Sequence, residues 1–366
     1  MTQPDQGSAD GGFEQALAVL ERQIEGTPNY ARNLVALAEL GKRKRLAFRA
    51  FELARKAIAA ARGDAEVVGR ARDLLGGLVR GYHVPMMNDA RRNAAWSRAL
   101  GRAVRPGSSV LEIGTGAGML ALMAARAGAG TVVTCERDPI LATLAREVAA
   151  LNGFGDTIQV IGKASFDLVP GIDLARPAEL LFCDIFANDL LGFDPLAALS
   201  DARQRLVAPG APVIPAAGAI RVALGEYRDC ARVALIDRAA GFDLSPFADL
   251  ARTRIAVPVG DPGIALRSEP AEAFRFDFAA ETHPKSGRAE LELDASAAGV
   301  VNGIVQWIRL ELDAGAALEA CPERGAVFFS ALYFHPLPAP RTMRPGERLG
   351  IVASYEGASL AIRAAG

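Results

Sequence analysis

Cysteine is scarce in this chain. Cys135, Cys183, Cys230 and Cys321 are the only four in 366 residues, and no two form a C-x-x-C pair. That excludes a disulfide framework and a zinc knuckle. Histidine is scarcer still, with only His83, His283 and His335, so a His-rich metal site is excluded and no metal is expected. Charge of one sign is absent too: 41 Lys+Arg against 42 Asp+Glu leave a formal net charge of −1. A protein that mainly coats nucleic acid would carry a basic excess, so nucleic acid is not an expected partner. No run approaches the ~18 apolar residues of a membrane span. The most apolar stretch, Leu206 to Leu224, is broken by Pro209, Pro212, Pro215 and Arg221. The opening MTQPDQGSADGG has neither a basic region nor an apolar one, unlike a signal peptide. A cytoplasmic chain with no membrane segment is therefore expected. The 51% hydrophobic and 23% charged residues exclude disorder along the whole length.

Three textures follow one another. Residues 1–12 read as a disordered tail. Over 13–80, apolar residues recur at helical spacing: Ala16, Leu17, Leu20 and Ile24, then Leu34, Leu37 and Leu40, then Ala47, Phe51, Ala54 and Ile58. Breaks fall at Thr27-Pro28-Asn29 and Gly63-Asp64. This α-helical extension is either tetratricopeptide-like hairpins or a helical cap. Over 81–218, short apolar strands alternate with helices: Val110–Ile113, Met119–Ala127, Thr131–Cys135, Pro139–Leu151, Ile158–Ile161 and Leu180–Cys183. That alternation predicts an α/β, Rossmann-like, doubly wound parallel sheet. Over 219–366, strands separated by Pro/Gly/Asp-rich turns predict an antiparallel β-barrel-like domain.

The sharpest motif is Glu112-Ile-Gly114-Thr115-Gly116-Ala-Gly118, after a strand and before a helix. Glycines there let backbone approach a ligand closely. Glu136, closing the next strand 22 residues after Gly114, can accept both hydroxyls of a ribose. Two ligand classes suit such a site: a dinucleotide with its pyrophosphate on the helix N-terminus, or S-adenosylmethionine (SAM). A tight turn with no ligand is the plain alternative. The acid-x-G-x-G-x-G form resembles the first motif of class I SAM methyltransferases, which puts SAM ahead of a nicotinamide cofactor.

Upstream, His83, Met86, Asp89, Arg92 and Trp96 match by position the signature that precedes the SAM fold in protein arginine methyltransferases. Gly241-Phe-Asp-Leu-Ser and Asn302-Gly-Ile-Val-Gln-Trp307 resemble later signatures of that family. The resemblance covers most of residues 81–366. It implies that Arg92 binds the SAM carboxylate as a charge-assisted fork. It also counts His83, Glu112, Gly114, Thr115, Gly116, Gly118 and Glu136 with the cofactor, and Met86 with the catalytic residues. The family's adenine-side glutamate is absent: Lys163-Ala164-Ser165 stands in its place, with Ser165 the candidate to hydrogen-bond adenine. It further implies a protein or peptide substrate and a homodimer, through an arm at about Tyr227 to Gly241.

A guanidinium is protonated near neutral pH and a poor nucleophile. The family answers with two glutamates on a loop after the fourth strand. This chain has Asp184 and Asp189 there, five apart and each one methylene shorter. A turn-capping and an N-capping role are their structural alternatives. The family's T-H-W histidine has no counterpart at Gly325-Ala-Val327-Phe328, and His335 lies too far along the strand to replace it. The donor half thus matches and the acceptor half departs. The expected function is SAM-dependent N-methyl transfer to a guanidinium or amine of a protein or peptide. The alternatives are a SAM-binding scaffold with weak or no transfer, and a small-molecule methyltransferase.

Overall fold

A computed structural model describes residues 6–234, 238–322 and 331–365. Its contacts divide the chain into two compact units, residues 1–84 with 138–144, and residues 85–137 with 145–366.

The first unit carries helices α1 (Gln6–Ile24), α2 (Tyr30–Arg43), α3 (Ala47–Ala60) and α4 (Ala65–Gly76). The tail expected over 1–12 needs correction, because residues 6–12 already belong to α1, while residues 1–5 lie outside the described ones. Small residues let α2 and α3 approach closely: a Cβ on Gly41 would stand 3.5 Å from Ala50 Cβ. Leu34, Val35, Ala38, Leu53, Ala54 and Ala57 form the buried seam. The break between α2 and α3 has no glycine or proline. Arg45 closes it in the left-handed region, φ +62°, so the periodicity runs through it unmarked. Asp64 caps α4, accepting from the backbone of Glu66 and Val67.

In the second unit, α6 (Ala90–Ala103) follows the short α5 (His83–Met87) and leads into β1 (Ser109–Ile113). Then come α7 (Met119–Arg126), β2 (Thr131–Cys135), α8 (Pro139–Leu151), whose residues up to Leu144 are grouped with the first unit, β3 (Ile158–Ile161), β4 (Leu180–Cys183), α9 (Pro195–Arg205) and β5 (Val213–Ile214). The sheet is parallel in the order β3-β2-β1-β4-β5. The order reverses between β1 and β4, and a ligand crevice in such a sheet opens at the carboxyl ends of the strands at that reversal. The five residues of β1 and four of β4 are all buried, as strands covered on both faces must be.

The antiparallel part begins with β6 (Ala217–Tyr227), then α10 (Cys230–Ala234) and a hairpin, β7 (Arg238–Ala239) and β8 (Phe242–Asp243). It continues through β9 (Ile255–Pro258), β10 (Ile264–Leu266), β11 (Ala271–Asp277), β12 (Ser286–Asp294), β13 (Gly299–Asp313), β14 (Ala316–Glu319), β15 (Ala331–Met343), β16 (Arg348–Glu356) and β17 (Ser359–Ala364). The larger sheet runs β10-β6-β13-β15-β9, with β11 on β6 and β14 on β13; β12, β16 and β17 form the smaller. Asn302 explains one of the quoted signatures. Its side chain accepts from Tyr227 N (2.8 Å) and donates to Tyr227 O (2.9 Å), tying β13 to the end of β6 beside a register shift. Trp307, fully buried, donates its indole N–H to Glu319 (2.9 Å).

Candidate active site

Asp89 and Arg92 owe their spacing to helix capping. Asp89 is the N-cap of α6 and accepts the backbone N–H of Arg92 at 2.9 Å. The D-x-x-R text therefore starts a helix and sets the arginine one turn in. Arg92 is 3% exposed. Its Nε (3.1 Å) and Nη2 (2.6 Å) both donate to Asp184 Oδ2, and its Nη1 donates to Asn93 (3.1 Å). The Asp184 side chain is only 4% exposed. Burial pushes its carboxyl above the usual range, against the pull of Arg92. Its other oxygen, Oδ1, is buried with no hydrogen-bond partner, a buried acceptor that lacks a donor.

The glycine loop is held from beneath by hydroxyls. Thr134 Oγ1 donates to Glu112 Oε2 at 2.6 Å and lies 2.6 Å from Thr115 Oγ1. A hydroxyl has one proton, so Thr115 donates to Thr134. Glu112 is 1% exposed, and its carboxyl is pushed up to about 8, chiefly by burial. Gly114, Gly116 and Gly118 all have positive φ, +85°, +51° and +80°. Gly116 N donates to Glu136 Oε2 at 3.0 Å, joining the loop to the end of β2. The loop residues and Glu136 thus form one connected cradle of the kind a nucleoside occupies.

Gly114 has a second constraint. A Cβ there would stand 2.4 Å from Cγ2 of Ile185, the residue after Asp184. The glycine loop and the loop after β4 therefore meet where β1 and β4 end. Gly114→Ala is expected to cost ~1–3 kcal/mol from backbone strain alone and to displace Asp184 through Ile185. Thermal unfolding and transfer measurements check this. Adding Ile185→Ala should relieve the steric part and leave the strain.

Asp189 is 3% exposed and already bonded twice. Oδ1 accepts Gly192 N at 2.9 Å, and Oδ2 accepts Arg254 Nη1 at 2.8 Å. Its neighbour Leu190 sits at φ +70°, fully buried, a strained position of the kind found at functional loops. The Arg254 guanidinium also lies over the Tyr333 ring, 4.4 Å from its centroid. Asp184 and Asp189 thus each hold an arginine of the chain itself. Arg254 and Ile185 carry no sequence signal, since each acts through a contact distant in the chain; Asn93 was missed although its contacts, to Arg92 and to the Met87 carbonyl, are local.

Ser165 is buried at 6%, and its carbonyl accepts from Arg205. Met86 is half-buried on α5. His83 belongs to the first unit, its ring 4.4 Å from that of Tyr82. His335 bonds Gln306 at 3.0 Å in the sheet interior, and burial with nearby Arg254 lowers it to about 4. It is a neutral core histidine. Gly325-Ala-Val327-Phe328 lies outside the described residues. Among the described residues, no cluster of three or more His, Cys, Asp or Glu could hold a metal, and no helix is long and apolar enough to cross a membrane.

Comparison with known proteins bears on this geometry. The family model of ribosomal protein L11 methyltransferase (PrmA) matches residues 97–220, the parallel-sheet region. An arginine N(omega)-methyltransferase of Streptomyces achromogenes subsp. streptozoticus is 33% identical over 282 residues, 77% of this chain and 78% of that protein. Protein arginine N-methyltransferase 7 of Oryza sativa subsp. indica is 31% identical over 291 residues, 73% of this chain but 38% of that longer protein. Among solved structures, the Trypanosoma brucei PRMT1 enzyme-prozyme heterotetrameric complex with AdoHcy superposes with a TM-score of 0.69 at 23% identity, over 78% of this chain and 93% of that one. Protein arginine methyltransferase 10 of Arabidopsis thaliana gives 0.60 at 17% identity, over 73% and 85%. These two share the fold: a Rossmann-like methyltransferase sheet with a β-barrel-like domain behind it. A third of the residues are shared across most of the chain and of its Streptomyces relative, so this protein belongs to the arginine N-methyltransferase family of SAM-dependent enzymes.

Proposed function

We propose that this enzyme methylates a guanidinium nitrogen of arginine in a protein or peptide. The observation that carries the reading is Asp184: a buried carboxylate, oriented by Arg92, with one oxygen unpartnered at the end of β4. A cationic N–H donor is what such an oxygen lacks. Glu136, anchored by Gly116, would take the ribose hydroxyls, and the Gly114 to Gly118 loop would pass under the methionine part. Arg92, with five N–H groups on a rigid fork, suits the SAM carboxylate as well as Asp184. Ser165 would serve the adenine side, with Met86 flanking the donor. Glu112 and Thr115 would hold the cradle in shape.

When bound, SAM would supply a methyl on a sulfonium: nitrogen's lone pair would form the N–C bond in line, and the C–S pair would stay on sulfur, which leaves as the neutral thioether. Asp184 and Asp189 would hold the acceptor's positive charge toward themselves, leaving one nitrogen with electron density to attack. Positioning and electrostatics carry such a step. The proton released by nitrogen has an acceptor in Asp184, whose basicity burial has raised.

The test is methyl transfer from labelled SAM into cell lysate, into an Arg/Gly-rich peptide and into free L-arginine, followed by acid hydrolysis and amino-acid analysis. Methylarginine from lysate or peptide is the expected result. Label in free arginine alone would move the acceptor to the free amino acid, a second reading favoured by the Streptomyces relative, whose name specifies arginine without a protein. SAM binding with no transfer to any acceptor would sink the enzymatic reading. A homodimer is part of the proposal, supported by exposed Phe242, Phe247 and Leu250 just beyond α10. Cytoplasmic location is supported by four free, buried thiols.

A further inference from the structure

The second acid of the loop has a partner that nothing in the motifs foretells. We infer that Arg254 is a positioning residue of the acceptor site, the fixed cation that holds Asp189 in its working orientation. The inference rests on the reading that Asp189 orients the acceptor guanidinium.

Three observations converge. The first is the ion pair, 2.8 Å from Arg254 Nη1 to Asp189 Oδ2, with the Asp189 side chain 4% exposed. The second is how Arg254 is held. It precedes β9, the edge strand whose Ile255 to Pro258 pair with Phe334 to Ala331 of β15, and its guanidinium rests on Tyr333 of that same strand. Backbone pairing and a cation–π contact restrict a side chain that would otherwise sample many rotamers. The third is the other oxygen of Asp189, bonded to Gly192 N. One anchor on each oxygen fixes the carboxylate plane. A carboxylate has about four lone-pair positions, so two anchors leave room for acceptor N–H groups.

The chemistry follows from residue type. An imidazole in this place would lose its charge near neutral pH, whereas a guanidinium keeps it. Asp189 is thereby oriented by a partner whose own charge does not change across the working range. Among the described residues, the titratable groups facing the Arg254 guanidinium are Asp189 from the loop and Tyr333 and His335 from β15. His335 is neutral there, and Tyr333 is held protonated by burial. None of them replaces the charge if Arg254 is removed.

The experiment measures kcat, KM for the acceptor and SAM affinity on the full chain, for the unaltered enzyme and for Arg254→Ala, Arg254→Lys and Arg254→His. Arg254→Ala should lower kcat ~10²-fold, the scale of a misplaced reacting group, with SAM affinity held within about threefold. Arg254→Lys keeps the charge and loses the fork, so it should fall between. Arg254→His should introduce an alkaline loss of activity in the imidazole range, absent from the parent profile. The two conservative variants keep the test informative if Arg254→Ala does not fold. An unchanged kcat in Arg254→Ala would overturn the inference, and a raised kcat would make Arg254 an internal plug of the acceptor site. So would an Arg254→His profile that parallels the parent's. If the unaltered chain transfers methyl to no arginine acceptor, the functional reading fails first and takes this inference with it.

Discussion

Asp184→Asn should abolish methyl transfer, by ~10³-fold or more, and also destabilise the fold. The first effect comes from charge: an amide cannot draw the acceptor's positive charge toward itself, and removing a preorganised group of this kind costs about 10²–10³-fold or more. The second comes from Arg92. It is 3% exposed, and breaking a buried pair by deleting one partner leaves an uncompensated charge, at about 3–5 kcal/mol. Arg92→Met should be as destabilising, because it strands Asp184 instead. The double variant Arg92→Met/Asp184→Leu separates the two effects. It buries no lone charge, so stability should recover by several kcal/mol while transfer stays absent. Denaturant unfolding alongside labelled-SAM transfer reads both. If the double variant is no more stable than Asp184→Asn, the buried pair is not what the single substitution breaks. SAM affinity should fall in Asp184→Asn as well, since the carboxylate orients the arginine proposed to hold the donor.

Glu112→Gln should remove a pH dependence from the stability of the fold. The Glu112 carboxyl titrates at about 8 in the folded chain, against 4.5 as its ordinary value. Burial is the main cause; Thr134 opposes it, and nearby Glu136 adds to it. Between those pH values the folded chain keeps a proton that the unfolded chain has lost. Stability therefore falls as pH rises, by ~1.4 kcal/mol per unit, or about 3 kcal/mol from pH 5 to pH 7. This contribution is complete below 4.5 and gone above about 8. Glutamine keeps an acceptor for Thr134 and cannot ionise. Its unfolding midpoint should match the parent's near pH 5 and exceed it at pH 8. A variant with the parent's slope would show that another group titrates. SAM affinity on the same protein tests the second role of Glu112: a loss beyond about tenfold would mean that it meets the donor as well as holding Thr134.

The α/β region was legible because its signals are local. A strand covered on both faces needs a short apolar run, a helix over it needs apolar spacing of three and four, and a loop at positive φ needs glycine. Thr131–Cys135, Pro139–Leu151, Ile158–Ile161 and Leu180–Cys183 stand in the structure at the bounds their residues suggest. The D-x-x-R spacing was legible for a related reason: a helix cap is a contact between residues three apart. Where local chemistry was silent, the reading failed. The turn at Arg45 carries no breaker residue, and helical spacing ran through it. β17 does alternate, with Leu360 and Ile362 buried between exposed neighbours, but two large apolar residues in six are a weak signal until β16 offers them an edge.

The sequence by itself thus determined the order of the layers, the glycine cradle with Glu136 at its rim, and the place of two acids after the fourth strand. Only the tertiary structure decided what those acids do. Asp184 meets Arg92 across 92 positions and Asp189 meets Arg254 across 65, pairings set by where β4, α6 and the edge strand β9 end in space. Glu112, one letter of a motif on paper, became a buried carboxyl with its own proton because the sheet closed over it. Charge and hydrogen bonding act over ångströms, and residues far apart in the chain come within that range only when the sheets are assembled.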